Sequence, residues 1–298
     1  MEYALLGQSD LRISRIGFGC MSLGDDDAGH ETILHRAIDL GVNFFDTADL
    51  YAKGMNEISV GKALKPNRSN VYIASKVGNQ WRADGSGWDW NPRKAYILAQ
   101  VEASLQRLQT DYIDLYQLHG GTIDDPIDET IEAFEQLKQQ GKIRYYGISS
   151  IRPNVIRAYI ERSNIVSVMM QYSLLDRRPE ETCLALLQEN KIGVLVRGAV
   201  AQGLLVNKPS KAYLNYTPQQ VEQAAAAIHG VSNEQRNAAQ TAIRFVLQHP
   251  AVTAAVTGIR TMQQLEEAVG ALSAPSLTEA ALTTLGQSVV ANKYEQHR

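Results

Sequence analysis

Short apolar runs alternate with longer amphipathic runs from one end of the chain to the other. The short runs are Ile16–Phe18, Val42–Phe45, Val71–Ala74, Ile113–Gln117, Arg144–Gly147, Ile165–Met169, Gly193–Val196 and Thr253–Val256. Most carry Val or Ile and do not alternate cleanly with polar residues, the pattern of strands covered on both faces. Helical runs lie between them: Glu31–Leu40, Glu57–Leu64, Pro92–Leu108, Ile127–Gln139, Pro153–Arg162, Pro179–Glu189, Asn233–Gln248 and Met262–Ala271. Pro92 and Pro153 suit the first turn of a helix, where the amide hydrogen that proline lacks has no partner anyway. Gly41 and Gly141 follow helices at positions that favour a left-handed residue. Strand and helix thus alternate eight times, which predicts a closed parallel (β/α)8 barrel, a TIM barrel. A doubly wound open sheet is the rival. It normally carries G-x-G-x-x-G after its first strand, whereas the stretch here is GFGCMSLGDDD.

Three segments exceed the repeating unit. Residues Met1–Ser14 predict a hairpin turning at Gly7–Asp10 and capping the closed bottom of the barrel. Gly78–Asn91 is a long loop after strand three. Leu204 to about Gly230 is another after strand seven, with a helical piece at Pro218–Ile228. Such insertions belong to the active face of a barrel. A last helix is expected within Glu279–Lys293. The 298 residues fit one domain, 1–298, and 44% apolar residues suffice for one large core.

Charge narrows the partners. A net charge of −3 with 20% charged residues contains no basic block, so nucleic acid is not an expected partner. Nor is a membrane, since no apolar stretch approaches the ~18 residues of a span and the opening residues do not resemble a signal peptide. Cys20 and Cys183 are expected to be reduced thiols of a cytoplasmic protein. A monomer is slightly favoured by the absence of an identifiable exposed apolar surface.

The chemistry concentrates where apolar strands end. Asp46 follows VNFF, Lys76 follows VYIAS, His119 ends DLYQLH and Gln171 follows SVMM. In a parallel barrel these positions converge on one rim, and such residues rarely gather there without pairing or function. Tyr51, five residues beyond Asp46, is expected to fold over the same mouth. Reducing a carbonyl leaves negative charge on oxygen, so a proton donor must face it. A free tyrosine titrates near pH 10; a neighbouring Lys76 should lower that value. Asp46 would hold Lys76, and a neutral His119 would orient the carbonyl oxygen. Taken singly, each has a bland reading: a loop salt bridge, a packed aromatic, a solvent-reaching lysine, a structural histidine.

With these residues in view, the chain resembles the aldo-keto reductase family. The likeness runs through LGQSDLRISRIGFGCMSLG, NFFDTADLYAKGMNEISVGKAL, VYIASKVG, SLQRLQTDYIDLYQLH, GKIRYYGISS, VMMQYSLLDR, VAQGLL and VTGIRTMQQLEEA, in that order. The resemblance implies carbonyl reduction with NADPH, or less often NADH, and a catalytic set of Asp46, Tyr51, Lys76 and His119. It also implies that Ser149, Ser150 and Gln171 hold the nicotinamide carboxamide, with Ser150 standing where the family has asparagine. Arg197 stands where many members stack an aromatic ring on the nicotinamide; its added charge would alter the balance between NADP+ and NADPH. Gly203 and Leu204 resemble the loop near the pyrophosphate. Gly258, Arg260, Gln264 and Glu267 match the adenosine end, with Arg260 facing the 2′-phosphate and Ala268 replacing a frequent asparagine.

The substrate side is built by loops. Trp81, Trp88 and Trp90 offer rigid apolar walls, or else pin the loop that carries them. Met21 and Met170 are further contacts or simple rim packing. The class stays broad: small aldehydes, dicarbonyls and some ketones. An alternative keeps the fold and NADPH binding but uses slow hydride transfer as a regulatory or redox-sensing subunit. A metal-dependent hydrolase would need several strand-end ligands. His119 is the one clear strand-end histidine of the first seven units, and His30, His35, His229 and His249 lie on or beside helical stretches, so no metal is expected.

Overall fold

A computed structural model describes residues 1–23 and 27–298. Gly24–Asp26, the end of the glycine-containing stretch after the first strand, lie outside the described residues. Eight parallel strands close a barrel: β1 Ile16–Gly19, β2 Phe44–Asp46, β3 Tyr72–Val77, β4 Ile113–Leu118, β5 Ile143–Ser149, β6 Ser167–Gln171, β7 Gly193–Arg197 and β8 Val252–Gly258. Each strand pairs with the next, and β8 pairs with β1 through Ala255–Ile16 to Gly258–Gly19. Helices α1 Asp27–Asp39, α2 Met55–Leu64, α3 Lys94–Leu108, α4 Ile127–Gln139, α5 Pro153–Arg162, α6 Cys183–Glu189, α7 Pro218–Val231, α8 Ala238–Leu247, α9 Met262–Gly270 and α10 Glu279–Ser288 complete the chain. All eight predicted strands are present, and the closed barrel displaces the open-sheet rival. Among the described residues no helix is long and apolar enough to cross a membrane.

The barrel has two apolar layers because successive strand residues face opposite sides. Outward residues such as Phe18, Phe45, Ile73, Tyr116, Ile148 and Val196 pack against the helices. Inward residues Phe44, Ala74, Leu115, Met169, Leu195, Ala254 and Val256 form a second cluster inside the barrel. Gly17 makes room there: a Cβ on it would lie 2.9 Å from Phe44. The N-terminal hairpin, Tyr3–Leu5 against Arg12–Ser14, supplies Leu6, Leu11 and Ile13 to this same cluster. It therefore plugs the lower end, as its pattern predicts.

Local chemistry accounts for several helix ends. Pro153 opens α5, and Gly41 and Gly141 adopt positive φ of 88° and 71°. Thr217 with Gln220, and Asn237 with Gln240, form capping boxes on α7 and α8. Pro92 departs from expectation. Helix α3 starts at Lys94 with Arg93 at its cap, and the Pro92 carbonyl instead accepts from Thr130 Oγ1 at 2.8 Å. The run Pro179–Glu189 also divides, into a 3-10 turn Arg178–Glu181 and α6.

The hairpin plug rests on Gly7, whose φ is +57°; a Cβ there would lie 2.3 Å from the Val166 carbonyl oxygen and 2.8 Å from the Gly193 amide. Gly7→Ala is expected to destabilise the fold by ~2–4 kcal/mol, combining backbone strain with a backbone clash. Urea unfolding followed by circular dichroism checks this, and an unchanged midpoint would show that the turn relaxes freely.

Candidate active site

The inward parity that fills the barrel also builds its mouth. Two residues above Phe44 comes Asp46, above Ala74 comes Lys76, and above Leu115 come Gln117 and then His119. Likewise Gln171 follows Met169, Arg197 follows Leu195, and Gly258 follows Val256. Apolar interior thus changes to polar rim along each strand without any change of direction. Met170 has the opposite parity and is wholly buried in the strand–helix layer, so it is packing and not a pocket contact.

Lys76 is the centre of the rim. Its ammonium, 1% exposed, donates to Asp46 Oδ1 at 2.6 Å, to the Thr47 carbonyl at 2.8 Å and to Tyr51 Oη at 3.2 Å. Asp46 accepts a further bond from Gln117 Nε2 at 3.3 Å, and Gln117 pairs in register with Lys76. Gln117 was not singled out from the sequence, though inward parity on β4 would have marked it. His119 stands edge-on to Tyr51 with ring centroids 5.7 Å apart, and its Nδ1 is buried without a hydrogen-bond partner. The four residues expected to act together are therefore in one place.

Burial sets their protonation. It lowers Lys76, but Asp46 and Tyr51 outweigh this, so the ammonium keeps its proton. Burial raises Asp46 against the pull of Lys76. Burial also raises Tyr51, and the lowering by Lys76 does not overcome it. This corrects the expectation of a lowered tyrosine: Lys76 pulls as expected, but in a site so poor in water the phenol holds its proton. His119 is pushed down to about 3, by burial first and then by Lys76 and Arg197. It is neutral across the physiological range.

The loop carrying Tyr51 is tightly coiled. Ala52, Lys53 and Gly54 follow it with φ of 48°, 54° and 88°, a left-handed run that two side-chain-bearing residues adopt only at a cost. The insertion after β3 folds over it as a two-stranded hairpin, Asn79–Trp81 against Trp88–Trp90. Trp81 donates to the Leu50 carbonyl at 3.2 Å, with Lys53 Nζ 5.1 Å from a Trp81 ring centroid. Asn79 donates to the His119 carbonyl at 3.2 Å. Trp90 donates to Asp125 at 3.0 Å and packs on Gly78, where a Cβ would meet its ring at 2.6 Å. Trp90 thus pins the hairpin, Trp81 borders the tyrosine loop, and Trp88 is 48% exposed. Met21, in the one-turn helix after β1, is 63% exposed.

The residues matched to a cofactor lie around the remaining rim. Gln171 is fully engaged: its Nε2 donates to Asp176 at 2.9 Å and to Tyr213 Oη at 3.0 Å, and its Oε1 accepts from Arg197 at 2.8 Å. Tyr213, from the long loop after β7, carried no sequence signal. Ser150 is buried and accepts from the Arg152 amide, while Ser149 is half-buried beside it. Gly203, φ +91°, ends a tight turn, whereas the Leu204 side chain is in the core. Gly258 ends β8 exposed. Beyond it, Gln264 accepts from the Arg260 amide and Glu267 from Gln263. The Arg260 guanidinium is exposed and has no ion pair among the described residues. No group of three or more His, Cys, Asp or Glu among the described residues is arranged to hold a metal ion.

Asp49 is a further buried group that the sequence did not mark. It is 4% exposed and neither carboxyl oxygen has a hydrogen-bond partner. Glu57 nearby is already satisfied by Arg107 at 2.6 Å and Ser75 at 2.5 Å. Burial, then the Glu57 charge, pushes Asp49 up to about 8, against Arg107 and Lys76. An unfolded aspartate titrates near pH 3.9, so between about pH 4 and 8 the folded state holds a proton that the unfolded state has lost. Stability from this group is complete at low pH and falls as pH rises through that window. Asp49→Asn removes the effect. Its advantage over wild type in thermal unfolding is expected to grow from pH 5 to pH 8, and a constant difference would refute the assignment.

Comparison with known proteins agrees with this architecture. The model of the Aldo/keto reductase family matches residues 15–288. The chain is 50% identical to the protein named uncharacterized oxidoreductase YqkF of Bacillus subtilis (strain 168), with all of both chains covered. It is 35% identical to the NADH-specific methylglyoxal reductase of Escherichia coli (strain K12), over 72% of each. The holo form of aldo-keto reductase AKR11C1 from Bacillus halodurans superposes with a TM-score of 0.93 at 50% identity, covering 100% of this chain and 99% of that one. The chain belongs to the aldo/keto reductase family.

Proposed function

We propose that the protein reduces small aldehydes, dicarbonyls or ketones to alcohols with NADPH, Tyr51 giving the proton. The carrying observation is the contact of the buried Lys76 ammonium with both Asp46 and the Tyr51 hydroxyl. Bound at this face, a reduced nicotinamide supplies the hydride. Charge then grows on the carbonyl oxygen. Tyr51, still protonated, hydrogen-bonds that oxygen and passes its proton to it, and the adjacent ammonium stabilises the phenolate left behind. Neutral His119, edge-on to Tyr51, has a ring nitrogen with which to orient the substrate. Asp46 keeps Lys76 charged and in place. Trp81 and Met21 border the entrance.

The rim suits a dinucleotide. Ser149 and Ser150 present hydroxyl groups for a carboxamide, Gln171 can join them only by exchanging one of its present partners, and the Arg197 guanidinium plane can lie against a ring. The unpaired Arg260 fork suits a 2′-phosphate, which favours NADPH. The Escherichia coli relative, named for NADH, makes the choice worth measuring directly. Arg260→Gln is expected to weaken NADPH binding about tenfold, the scale of a lost charge-assisted hydrogen bond, while leaving NADH binding unchanged. Fluorescence titration of both dinucleotides checks this, and equal losses would remove Arg260 from the phosphate site.

The decisive assay follows NADPH absorbance under multiple turnover with methylglyoxal, an activated aromatic aldehyde and a simple ketone. Tyr51→Phe is expected to lower kcat by roughly 10²–10⁴-fold with NADPH affinity retained. Unaffected turnover would overturn the role of Tyr51. Tight NADPH binding by wild type without turnover on any substrate would favour a redox-sensing subunit instead.

A further inference from the structure

A cavity of about 430 Å³, lined by none of the four catalytic residues, opens among the segments that follow β5 and β6. Ile151 and Arg152 after β5, Arg178 after β6, Leu214 of the long loop and Tyr294 of the C-terminal segment help to line it. Its neighbours in sequence tie it to the site. Arg152 follows Ser149–Ser150 and donates through Nη1 to the Gly121 carbonyl at 2.7 Å, two residues past His119. Leu214 follows Tyr213, whose hydroxyl meets Gln171. The cavity therefore borders the strand ends of β4, β5 and β6 together.

Its walls are fixed. Tyr216 Oη donates to the Val290 carbonyl at 2.8 Å and accepts from the Asn292 amide at 3.1 Å. The Arg178 guanidinium lies 5.5 Å from the Tyr294 ring centroid. The Asn154 amide donates to the His297 carbonyl at 2.9 Å. A segment held at so many points can shape a pocket.

The charges of the lining are unequal. Arg178 is matched by Asp176, through two bonds of 2.7 Å each. Arg152 is not matched. It is half-buried, and among the described residues it has no carboxylate within ion-pair distance; its guanidinium is held by the Gly121 carbonyl. Lys293 and His297 add basic groups, and Glu295 is the single acid of the lining. A partly buried guanidinium with most of its donors free is matched best by a planar anion able to accept two parallel hydrogen bonds.

We infer that this cavity receives the carboxylate end of an oxo-acid substrate, with Arg152 as its anchor, so that the favoured carbonyl compounds are short aldehydes or ketones bearing a carboxylate remote from the reacting carbon. This rests on the reductase reading of the neighbouring rim.

The test compares 4-oxobutanoate with butanal, and glyceraldehyde 3-phosphate with glyceraldehyde, in wild type, Arg152→Gln and Arg152→Lys. Binding of succinate, which cannot be reduced, is read separately by tryptophan fluorescence. Wild type is expected to favour 4-oxobutanoate over butanal by about tenfold or more in kcat/KM, mostly through KM. Arg152→Gln should erase that preference and weaken succinate about tenfold, with partial rescue in Arg152→Lys. Equal kcat/KM for the charged and neutral partners, or an equal loss on both in Arg152→Gln, would overturn the inference. A stronger preference for the phosphate than for the carboxylate would overturn the carboxylate assignment. Failure of all turnover with Arg152-dependent succinate binding intact would count against the reductase reading and leave the cavity assignment standing; absence of succinate binding would count against the cavity.

Discussion

The ion pair between Lys76 and Asp46 is the constraint around which the active face is organised. An ammonium that is 1% exposed is costly to bury unless its charge is answered and its protons are bonded. Three acceptors do this, one each from the side chain of β2, the backbone after it and the tyrosine loop. Removing Asp46 would strand a buried cation, which is more damaging than removing the pair. The same geometry sets a cation 3.2 Å from the tyrosine hydroxyl. Structural need and chemical use thus fall on one contact.

That contact exists because of barrel closure. Asp46 and Lys76 sit on adjacent strands, with Asp46 in register with Ala74 and Lys76 with Gln117. Inward parity takes each strand from an apolar lower layer to a polar upper one. The hairpin plug seals the lower end with Leu6, Leu11 and Ile13, leaving the interior open at the end where the polar residues lie. Low dielectric below and around the rim explains why burial dominates the titration of Tyr51 and His119. It keeps the phenol protonated and the imidazole neutral, the two states that a proton donor and an orienting group require in the reductive direction.

The loops are braced against this base. The left-handed run at Ala52–Gly54 stores strain directly after Tyr51, and the hairpin after β3 braces it through Trp81. Trp90, wedged against Gly78, holds the hairpin to the loop after β4. Across the mouth, the chain Arg197–Gln171–Tyr213 links β6 and β7 to the long loop. Two different insertions are thereby tied to strand-end residues that face the same space.

Much of this was legible in the residues alone. Period and element length revealed eight strands, eight accompanying helices and the plug, because burial on both faces leaves a continuous apolar signature. The ends of those strands marked Asp46, Lys76, His119 and Gln171, and motif spacing added Tyr51. Other features depend on distances that sequence order does not encode. Gln117 and Tyr213 meet Asp46 and Gln171 only across the closed barrel, and Asp49 is unusual only because its oxygens are buried without partners. Met170 faces the helices because parity, not proximity to Gln171, decides its side. The direction of the Tyr51 shift likewise came from tertiary structure: a neighbouring cation can be read from sequence, but the desolvation that outweighs it is a property of the packed site. Composition and periodicity determined which elements form and which polar groups reach the rim; only the folded barrel decided which of them touch, and how little water they share.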